Sequence, residues 1–358
     1  MVRMLTLLAA STALAACAAT TASDAPPAET ALVEPPVAAA PAVKPEFGTF
    51  GIDTSGMDTS VAAGDNFYQH VNGTWAKNTP IPADKSNYSI GTTLDDLSRE
   101  RTRTLIDEAA KDPNSRIGAV YSSYMDEAAI EAKGLAGLEP WLNQVRTLSS
   151  RAALPKLYAD ASRLGVGTPF GAIVGQDDKQ PDQYAITLVQ SGLGMPDRDY
   201  YLSADPKLAE TKQKYLAHLT NMLTLAGEAN AASRAKAIVD FETQVAKASW
   251  TRIQNRDADK TYNKMSLAEL AKSAPGFDFT RLIRERGASS IDSLIVAQPS
   301  AITAIASLVS KAPLNVLKDQ LLVRSLDSYS AFLPAAFDNE NFAFFGTTLS
   351  GTPEKEAA

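Results

Sequence analysis

The feature that most limits the fold of this 358-residue chain is the spacing of its apolar residues. Between residues 90 and 333 they recur mainly at steps of three and four, which places side chains on one face of an α-helix. A further helix should begin at the capping-box sequence Ser266-Leu-Ala-Glu269 and end before Pro275. The expected fold class is therefore mainly α, a multi-helix lobe. The spacing predicts helices at about 94–109, 117–128, 136–148, 151–164, 206–226, 233–249, 278–286, 300–310 and 314–333.

Two short runs rich in β-branched residues, 166–175 and 183–190, interrupt the helical pattern. A polar stretch from Gln176 to Asp182 separates them. Short β-branched runs on either side of a polar segment are typical of two paired strands. We interpret them as a short β-hairpin within the helical lobe.

The N-terminus has the pattern of a bacterial lipoprotein signal peptide over residues 1–17. Arg3 precedes an apolar stretch that is too short to span a bilayer as a helix and ends in Leu14-Ala-Ala-Cys17. Cys17 is then the expected lipidation site and the first residue of the mature protein, anchored to the membrane. An ordinary secretory signal cleaved near Ala16 is the alternative. The pattern predicts a periplasmic or cell-envelope protein and leaves inner and outer membrane open.

Residues 18–47 should form a disordered linker, because Ala, Pro, Thr and Glu dominate them and they lack apolar periodicity. The helical lobe is expected at 48–351, followed by a truncated tail at 352–358. Met1 has the character of a true start, so a missing part is expected at the C-terminus.

The composition argues against nucleic-acid binding and against an intrachain disulfide. The chain has 41 acidic and 34 basic residues, a formal charge of −7, so an acidic surface would repel phosphate backbones and nucleic acid is not an expected partner. Cys17 is the only cysteine, so no intrachain disulfide can form. The packing of the core must therefore stabilise the fold without a disulfide bond.

Candidate catalytic residues are scarce. A catalytic zinc needs three protein ligands, commonly two histidines one helical turn apart, yet the chain has only His70 and His218 and no His-Glu-x-x-His. We interpret His218 as a helix-face residue and His70 as a packing residue. Ser233-Arg-Ala-Lys236 matches a serine-hydrolase pattern, but its companion Ser-Asp-Asn and Lys-Thr-Gly elements are missing. We expect no catalytic residue and no metal ligand in this chain.

Charged clusters of mixed sign occur at 197–199 and 256–260. Such clusters more often fix loops through ion pairs than bind ligands, so both are expected to be structural.

Four segments resemble the neprilysin-like (M13) zinc metallopeptidases, in order and in approximate spacing. They are Asp65-Asn-Phe-Tyr-Gln-His-Val-Asn-Gly-Thr-Trp75, Met195-Pro-Asp-Arg-Asp-Tyr-Tyr201, the stretch from Arg256 to Leu270, and Phe344-Phe-Gly-Thr-Thr-Leu-Ser-Gly351. The resemblance covers residues 50 to 351.

The resemblance implies a helical lobe that covers a thermolysin-like catalytic lobe and encloses the active site. In that family the zinc, the attacking water and the general-base glutamate belong to the C-terminal half. This chain would then be the N-terminal, substrate-enclosing part of a membrane-anchored zinc metalloendopeptidase, inactive alone. Its implied partners are a peptide substrate, the C-terminal catalytic lobe and the membrane, through the lipid anchor.

The resemblance also points to two substrate-facing residues, Asn87 and Tyr88. Neprilysin carries a Ser-Arg-Tyr whose arginine binds the C-terminal carboxylate of a substrate, and the corresponding run here is Ser86-Asn87-Tyr88. Asn87 offers no positively charged fork, which favours internal cleavage of oligopeptides. The alternative function is a non-catalytic, peptide-binding lipoprotein.

Overall fold

The computed structural model describes residues 54–356, so the predicted signal peptide (1–17) and linker (18–47) lie outside the described residues. The described chain forms two compact units, one that ends at Asn78 and one that starts at Thr79. Helices dominate it and the strands form one small sheet. The predicted fold class, mainly α with a β-hairpin, is confirmed.

The first unit contains one helix, α1 (Phe67–Asn78), and the loop before it. Several hydrogen bonds tie that loop to the helix. Among them, the Asp58 amide donates to the His70 carbonyl (2.9 Å), His70 Nδ1 donates to the Val61 carbonyl (2.7 Å), and Thr74 Oγ1 donates to the Met57 carbonyl (2.7 Å). The His70 side chain therefore fixes local structure, while Phe67 is exposed.

The second unit contains fifteen further helices among the described residues. The helices predicted at 206–226, 233–249 and 300–310 bury their apolar faces, whereas those predicted at 94–109 and 117–128 leave Leu94, Leu105 and Val120 exposed. The capping box at Ser266 and Glu269 opens a helix as expected. The helices are α2 (Ile90–Ala109), α3 (Arg116–Met125), α4 (Glu127–Lys133), α5 (Glu139–Arg146), α6 (Leu154–Arg163), α7 (Asp199–Leu202), α8 (Pro206–Leu225), α9 (Ala231–Ala248), α10 (Arg252–Asn255), α11 (Ala258–Thr261), α12 (Leu267–Ser273), α13 (Phe279–Glu285), α14 (Pro299–Lys311), α15 (Leu314–Tyr329) and α16 (Ala335–Asn341). A nine-residue π-helix, Phe342–Ser350, follows α16, and short 3₁₀ turns occupy Arg151–Ala153 and Ser330–Phe332.

One predicted helix is divided. The stretch predicted as a single helix at 117–128 ends at Met125, and α4 starts two residues later. Asp126 causes the break, because its carboxylate accepts a hydrogen bond from the Ala129 amide and so caps a new helix.

The sheet has four strands, β1 (Phe170–Asp177), β2 (Gln180–Gln190), β3 (Lys264–Ser266) and β4 (Ser293–Val296), in the order β1-β2-β4-β3. β1 and β2 pair antiparallel as the predicted hairpin, β2 and β4 pair parallel, and β3 and β4 pair antiparallel. The turn contains only Asp178 and Lys179. Most of the polar stretch 176–182, which was expected to separate the strands, therefore lies within β1 and β2. Asp177 explains this extension, because its buried carboxylate accepts hydrogen bonds from the Lys179 and Gln180 amides.

The core lies where α8, α9 and α15 pack together, with Leu219, Ile238 and Leu322 almost fully buried. Within residues 54–356, no single helix is long and apolar enough to cross a membrane. Only Pro299–Lys311 taken together with Leu314–Phe332 reaches the required length and hydropathy, and the two segments are bent by 113°.

Candidate functional site

The loop Thr79–Ser89, which leads into α2, holds the two predicted substrate-facing residues. Asn87 is exposed, and its side-chain amide donates to Ser86 Oγ at 3.3 Å. Tyr88 is half-buried, with its hydroxyl 3.5 Å from Asp96 Oδ2. Ser89 caps α2 by accepting a hydrogen bond from the Thr92 amide, which fixes the end of the loop. The amide of Asn87 is thus open to solvent, whereas Tyr88 lies toward α2.

A cavity of about 770 Å³ lies beside this loop. Its walls are the loop, α2, Tyr121 of α3 and Glu356, but Asn87 and Tyr88 are not among the residues that line it. The structure therefore places the two predicted residues near the cavity and not in its wall.

Charged side chains of both signs rim the cavity. Lys85 Nζ lies 2.7 Å from Glu356 Oε1, 3.2 Å from Asp84 Oδ2 and 3.4 Å from Asp96 Oδ1. Arg99 bonds to the other oxygen of Glu356 at 3.0 Å. The hydrogen bond to Glu356 is the main reason why the pKa of Lys85 is raised above its ordinary value. Lys85 is therefore a permanent cation that ties the loop to residue 356.

His218 is buried between two carboxylates. Its Nε2 donates to Asp327 Oδ1 (3.0 Å) and its Nδ1 donates to Glu340 Oε1 (3.1 Å), while Phe344 stacks on the ring at 5.1 Å. Burial alone would lower the pKa of His218, but the hydrogen bonds to the two carboxylates outweigh it and raise that pKa to about 9. At neutral pH His218 is an imidazolium that holds α8, α15 and α16 together.

Glu242 is a second buried ionisable residue. Its carboxylate is fully buried and accepts hydrogen bonds from the hydroxyls of Tyr201 (2.7 Å) and Tyr215 (3.0 Å), from Gln320 Nε2 (2.9 Å) and from Arg324 Nη2 (2.8 Å). Every lone-pair direction has a donor, so the group is a structural anchor. Sequence reasoning missed it, because Glu242 lies in a helical stretch without a motif.

The family model for the N-terminal region of peptidase family M13 matches residues 63–358. The chain belongs to peptidase family M13. The resemblance inferred from the four sequence segments is confirmed.

Two curated M13 relatives show how much of a full-length protein the chain represents. Mouse endothelin-converting enzyme-like 1 is 24% identical over 307 residues, which cover 79% of this chain and 39% of that protein. Neprilysin-2 of Caenorhabditis elegans is 27% identical over 260 residues, which cover 66% of this chain and 34% of that protein. The chain therefore spans less than two fifths of the length of these relatives.

Solved structures agree with the family assignment. The zinc metalloprotease Zmp1 of Mycobacterium tuberculosis, in complex with an inhibitor, matches with a TM-score of 0.78 and 30% identity over 86% of this chain and 48% of that one. PepO of Lactobacillus rhamnosis HN001 matches with a TM-score of 0.66 at 17% identity, over 83% of this chain and 48% of that one, a likeness of fold alone. The chain has the fold of about half of each of these proteins.

Two of the M13-like segments each contribute an aromatic side chain to a buried ionic centre. Tyr201, from the second segment, donates to Glu242. Phe344, from the fourth segment, lies in the π-helix and stacks on His218 of α8. The mixed-sign clusters at 197–199 and 256–260 contribute structural contacts, as predicted. Asp197 pairs with Arg252 at 3.2 Å, and Asp257 caps α11. Tyr201, Phe344, Asp197 and Asp257 thus make structural contacts in this chain.

The residues present do not fit the zinc of an M13 peptidase. His70 Nδ1 is bonded to a backbone carbonyl and both ring nitrogens of His218 are bonded to carboxylates. Within residues 54–356, no group of three or more His, Cys, Asp or Glu side chains is arranged to hold a metal ion. We therefore assign no catalytic step to this chain through a metal.

The Ser-x-x-Lys pattern does not form a nucleophile pair. Ser233 Oγ donates to the Asn230 carbonyl (2.9 Å), whereas Lys236 Nζ pairs with Asp240 (2.6 Å) one turn further along α9. A serine activated by lysine needs a direct contact between the two groups. The bonds of both residues are those of ordinary helix-surface side chains.

Proposed function

We propose that this chain is the N-terminal, substrate-enclosing part of a membrane-anchored zinc metalloendopeptidase that acts on oligopeptides. The observation that supports it most strongly is the match of residues 63–358 to the N-terminal region of family M13. The zinc and the residues that cleave the peptide would come from a C-terminal catalytic lobe outside these 358 residues. Residues 48–351 would form the enclosing lobe.

In this proposal the lobe supplies walls and contacts. The cavity of about 770 Å³ beside the loop Thr79–Ser89 has the size of a site for a few amino-acid residues. Its rim carries Lys85 and Arg99 beside acidic groups, so it can contact both backbone carbonyls and amides of a peptide. Enclosure of this kind admits oligopeptides and excludes folded proteins.

Asn87 and Tyr88 are proposed to face the substrate. The exposed Asn87 amide can donate to a peptide carbonyl and accept from a peptide N–H, but it cannot form the bidentate ion pair that a guanidinium makes with a carboxylate. The absence of a cation at position 87 favours cleavage at internal bonds.

The substitution Asn87→Arg in the complete enzyme tests this role. We expect it to raise kcat/KM for short peptides with a free C-terminal carboxylate about tenfold relative to their C-terminal amides, the effect of one charge-assisted hydrogen bond. The control Asn87→Gln should leave the ratio unchanged. An unchanged ratio in Asn87→Arg would contradict a substrate-facing position.

The membrane anchor is proposed from Leu14-Ala-Ala-Cys17. The expressed protein should partition with membranes through an acylated Cys17, and Cys17→Ser should release it or block its maturation. Mass spectrometry of the mature N-terminus checks the acyl group. An unmodified Cys17 together with unchanged membrane association would refute the lipoprotein proposal.

The DNA sequence beyond codon 358 tests whether a catalytic lobe is encoded after this region. We expect an uninterrupted reading frame that encodes His-Glu-x-x-His, and chelator-sensitive peptide cleavage by the longer product. A stop codon directly after codon 358 would instead support the non-catalytic, peptide-binding lipoprotein.

A further inference from the structure

Within the described residues, β1 is an edge strand of the sheet. β1 is the first strand in the sheet order, and within residues 54–356 no other strand pairs with its outer side. Natural edge strands are usually protected by charged residues, proline or a covering element. β1 has no charge or proline from Phe170 to Gln176, and Ile173 and Val174 are 59% and 68% exposed. An edge of this kind is suited to pairing with another extended chain.

A cavity of about 250 Å³ lies against the same strand. Its apolar wall includes Val174, Ile186 and Ile283, and two cations, Arg163 and Arg286, complete it. Val174 and Ile186 are cross-strand partners, so the cavity adjoins one face of the hairpin. It can receive an apolar side chain beside a negative group.

Arg286 is a half-buried cation without an acidic partner in the described part of the chain. Its Nη2 donates to the Ala172 carbonyl of β1 at 3.1 Å. The nearby acids are engaged elsewhere, because Glu285 pairs with Arg281 (3.4 Å) and Asp160 pairs with Arg163 (2.8 Å). Burial, and then the proximity of Arg163, lower the pKa of Arg286. A bound anion would offset both effects.

We propose that the free edge of β1 and the Arg286 guanidinium form a binding site for an extended peptide that carries a carboxylate. The peptide would add to the sheet as a fifth strand, its backbone bonded to the outward N–H and C=O groups of β1. One of its apolar side chains would enter the cavity, and its carboxylate would bind Arg286. This site is separate from the cavity beside the loop Thr79–Ser89 and goes beyond the proposed peptidase function.

The position of Arg286 supports a peptide over a free anion. In an antiparallel pair, alternate residues of an edge strand direct their N–H and C=O away from the partner strand. Arg286 already bonds to one such carbonyl, at Ala172, so a strand that pairs along Val174 and Gln176 would bring its end to the guanidinium. A small anion would use the charge but none of the strand edge.

Fluorescence anisotropy on the full chain tests the site with a labelled hexapeptide, acetyl-(Thr-Val)₃, prepared with a C-terminal acid or a C-terminal amide. We expect the acid to bind about tenfold more tightly than the amide, the effect of one charge-assisted hydrogen bond. Arg286→Gln can still donate to Ala172, so it should remove that difference and keep the fold. The matched control Arg284→Gln changes an exposed arginine on the same helix and should keep the difference.

Hydrogen exchange on the same samples locates the peptide. Amides of residues 171–177 should exchange more slowly when the acid peptide is bound. A C-terminal amide peptide that carries an internal glutamate is a further probe. If it binds as tightly as the C-terminal acid, the site recognises a side-chain carboxylate, which also supports the proposal. Equal binding of acid and amide, or protection elsewhere, would overturn the proposal. A concentration-dependent dimer that protects β1 without peptide would also overturn it.

Discussion

At the scale of single residues, the lobe depends on ionic groups that are buried together with their partners. Glu242 and Arg324 form such a pair, at 2.8 Å. Once one member of a buried pair is removed, the other is left charged and unsolvated, and this costs more than the pair itself contributes.

Glu242→Gln should therefore lower the free energy of unfolding by about 3 to 5 kcal/mol, because Arg324 would lose its counter-charge. Urea unfolding followed by circular dichroism measures it. The control Glu210→Gln breaks an exposed pair with Lys214 and should cost less than about 1 kcal/mol. Similar losses in the two variants would contradict the assignment of Glu242 as the buried anchor.

His218 should make stability depend on pH. Its pKa in the folded chain, about 9, lies above the ordinary value of 6.5, so its stabilising effect is complete below pH 6.5 and is lost as the pH rises through 9. The shift corresponds to about 3 kcal/mol. Urea unfolding at pH 6.5 and pH 9 should show this decline, and His218→Gln should remove most of it. Equal stability at both pH values in the unaltered chain would refute the charged state of His218.

At the scale of elements, one buried carboxylate organises the end of the hairpin. Asp177 Oδ2 bonds to Lys264 Nζ (2.9 Å) and Oδ1 bonds to the Tyr262 hydroxyl (2.8 Å), which joins the β1–β2 turn to the segment at β3. The hydrogen bond from Lys264 is the main reason why the pKa of Asp177 is lowered to about 2. The carboxylate is therefore charged at neutral pH.

Asp177→Asn should loosen the hairpin, because an amide forms weaker hydrogen bonds with Lys264 and the turn. We expect faster hydrogen exchange at residues 170–190 and no change in α8. Asp182→Asn, at an exposed position in the same hairpin, is the matched control. If Asp177→Asn exchanges like the unaltered chain, the carboxylate does not hold the hairpin.

Most helices of ten residues or more were predicted from the sequence, because their apolar period is a local signal, but the twelve-residue α1 was not. Among the short elements, α5, α12 and α13 were predicted, whereas β3 and β4 were not. β3 and β4 have only three and four residues, which is too short to show a periodic pattern. The sequence therefore did not predict that they extend the hairpin into a four-stranded sheet. α16 and the π-helix that follows it were also missed. The aromatic run at 342–345 could have indicated a packed element there.

The candidate site was less predictable than the fold, because its contacts join distant parts of the chain. Lys85 meets Glu356 and His218 meets Glu340, at separations of 271 and 122 residues. No local pattern encodes such pairs. Asn87 and Tyr88 came from the resemblance alone and remain predictions.

At the scale of the whole molecule, the chain combines the N-terminal region of an M13 peptidase with a scarcity of metal ligands. Its two histidines are both bonded within the lobe, and its buried acids are paired with cations or hydroxyls. Family membership and these contacts support the proposal that this chain encloses the substrate and that a separate lobe would cleave the peptide bond.

Zinc content and cleavage, measured together on the purified 358-residue chain, test this central claim most directly. Elemental analysis after incubation with zinc and gel filtration should find no stoichiometric zinc, and an internally quenched peptide should show no cleavage that a chelator abolishes. Two isolated histidines cannot supply the three ligands of a catalytic site. One tightly held zinc per chain, lost in His70→Ala or His218→Ala and accompanied by chelator-sensitive cleavage, would contradict the account.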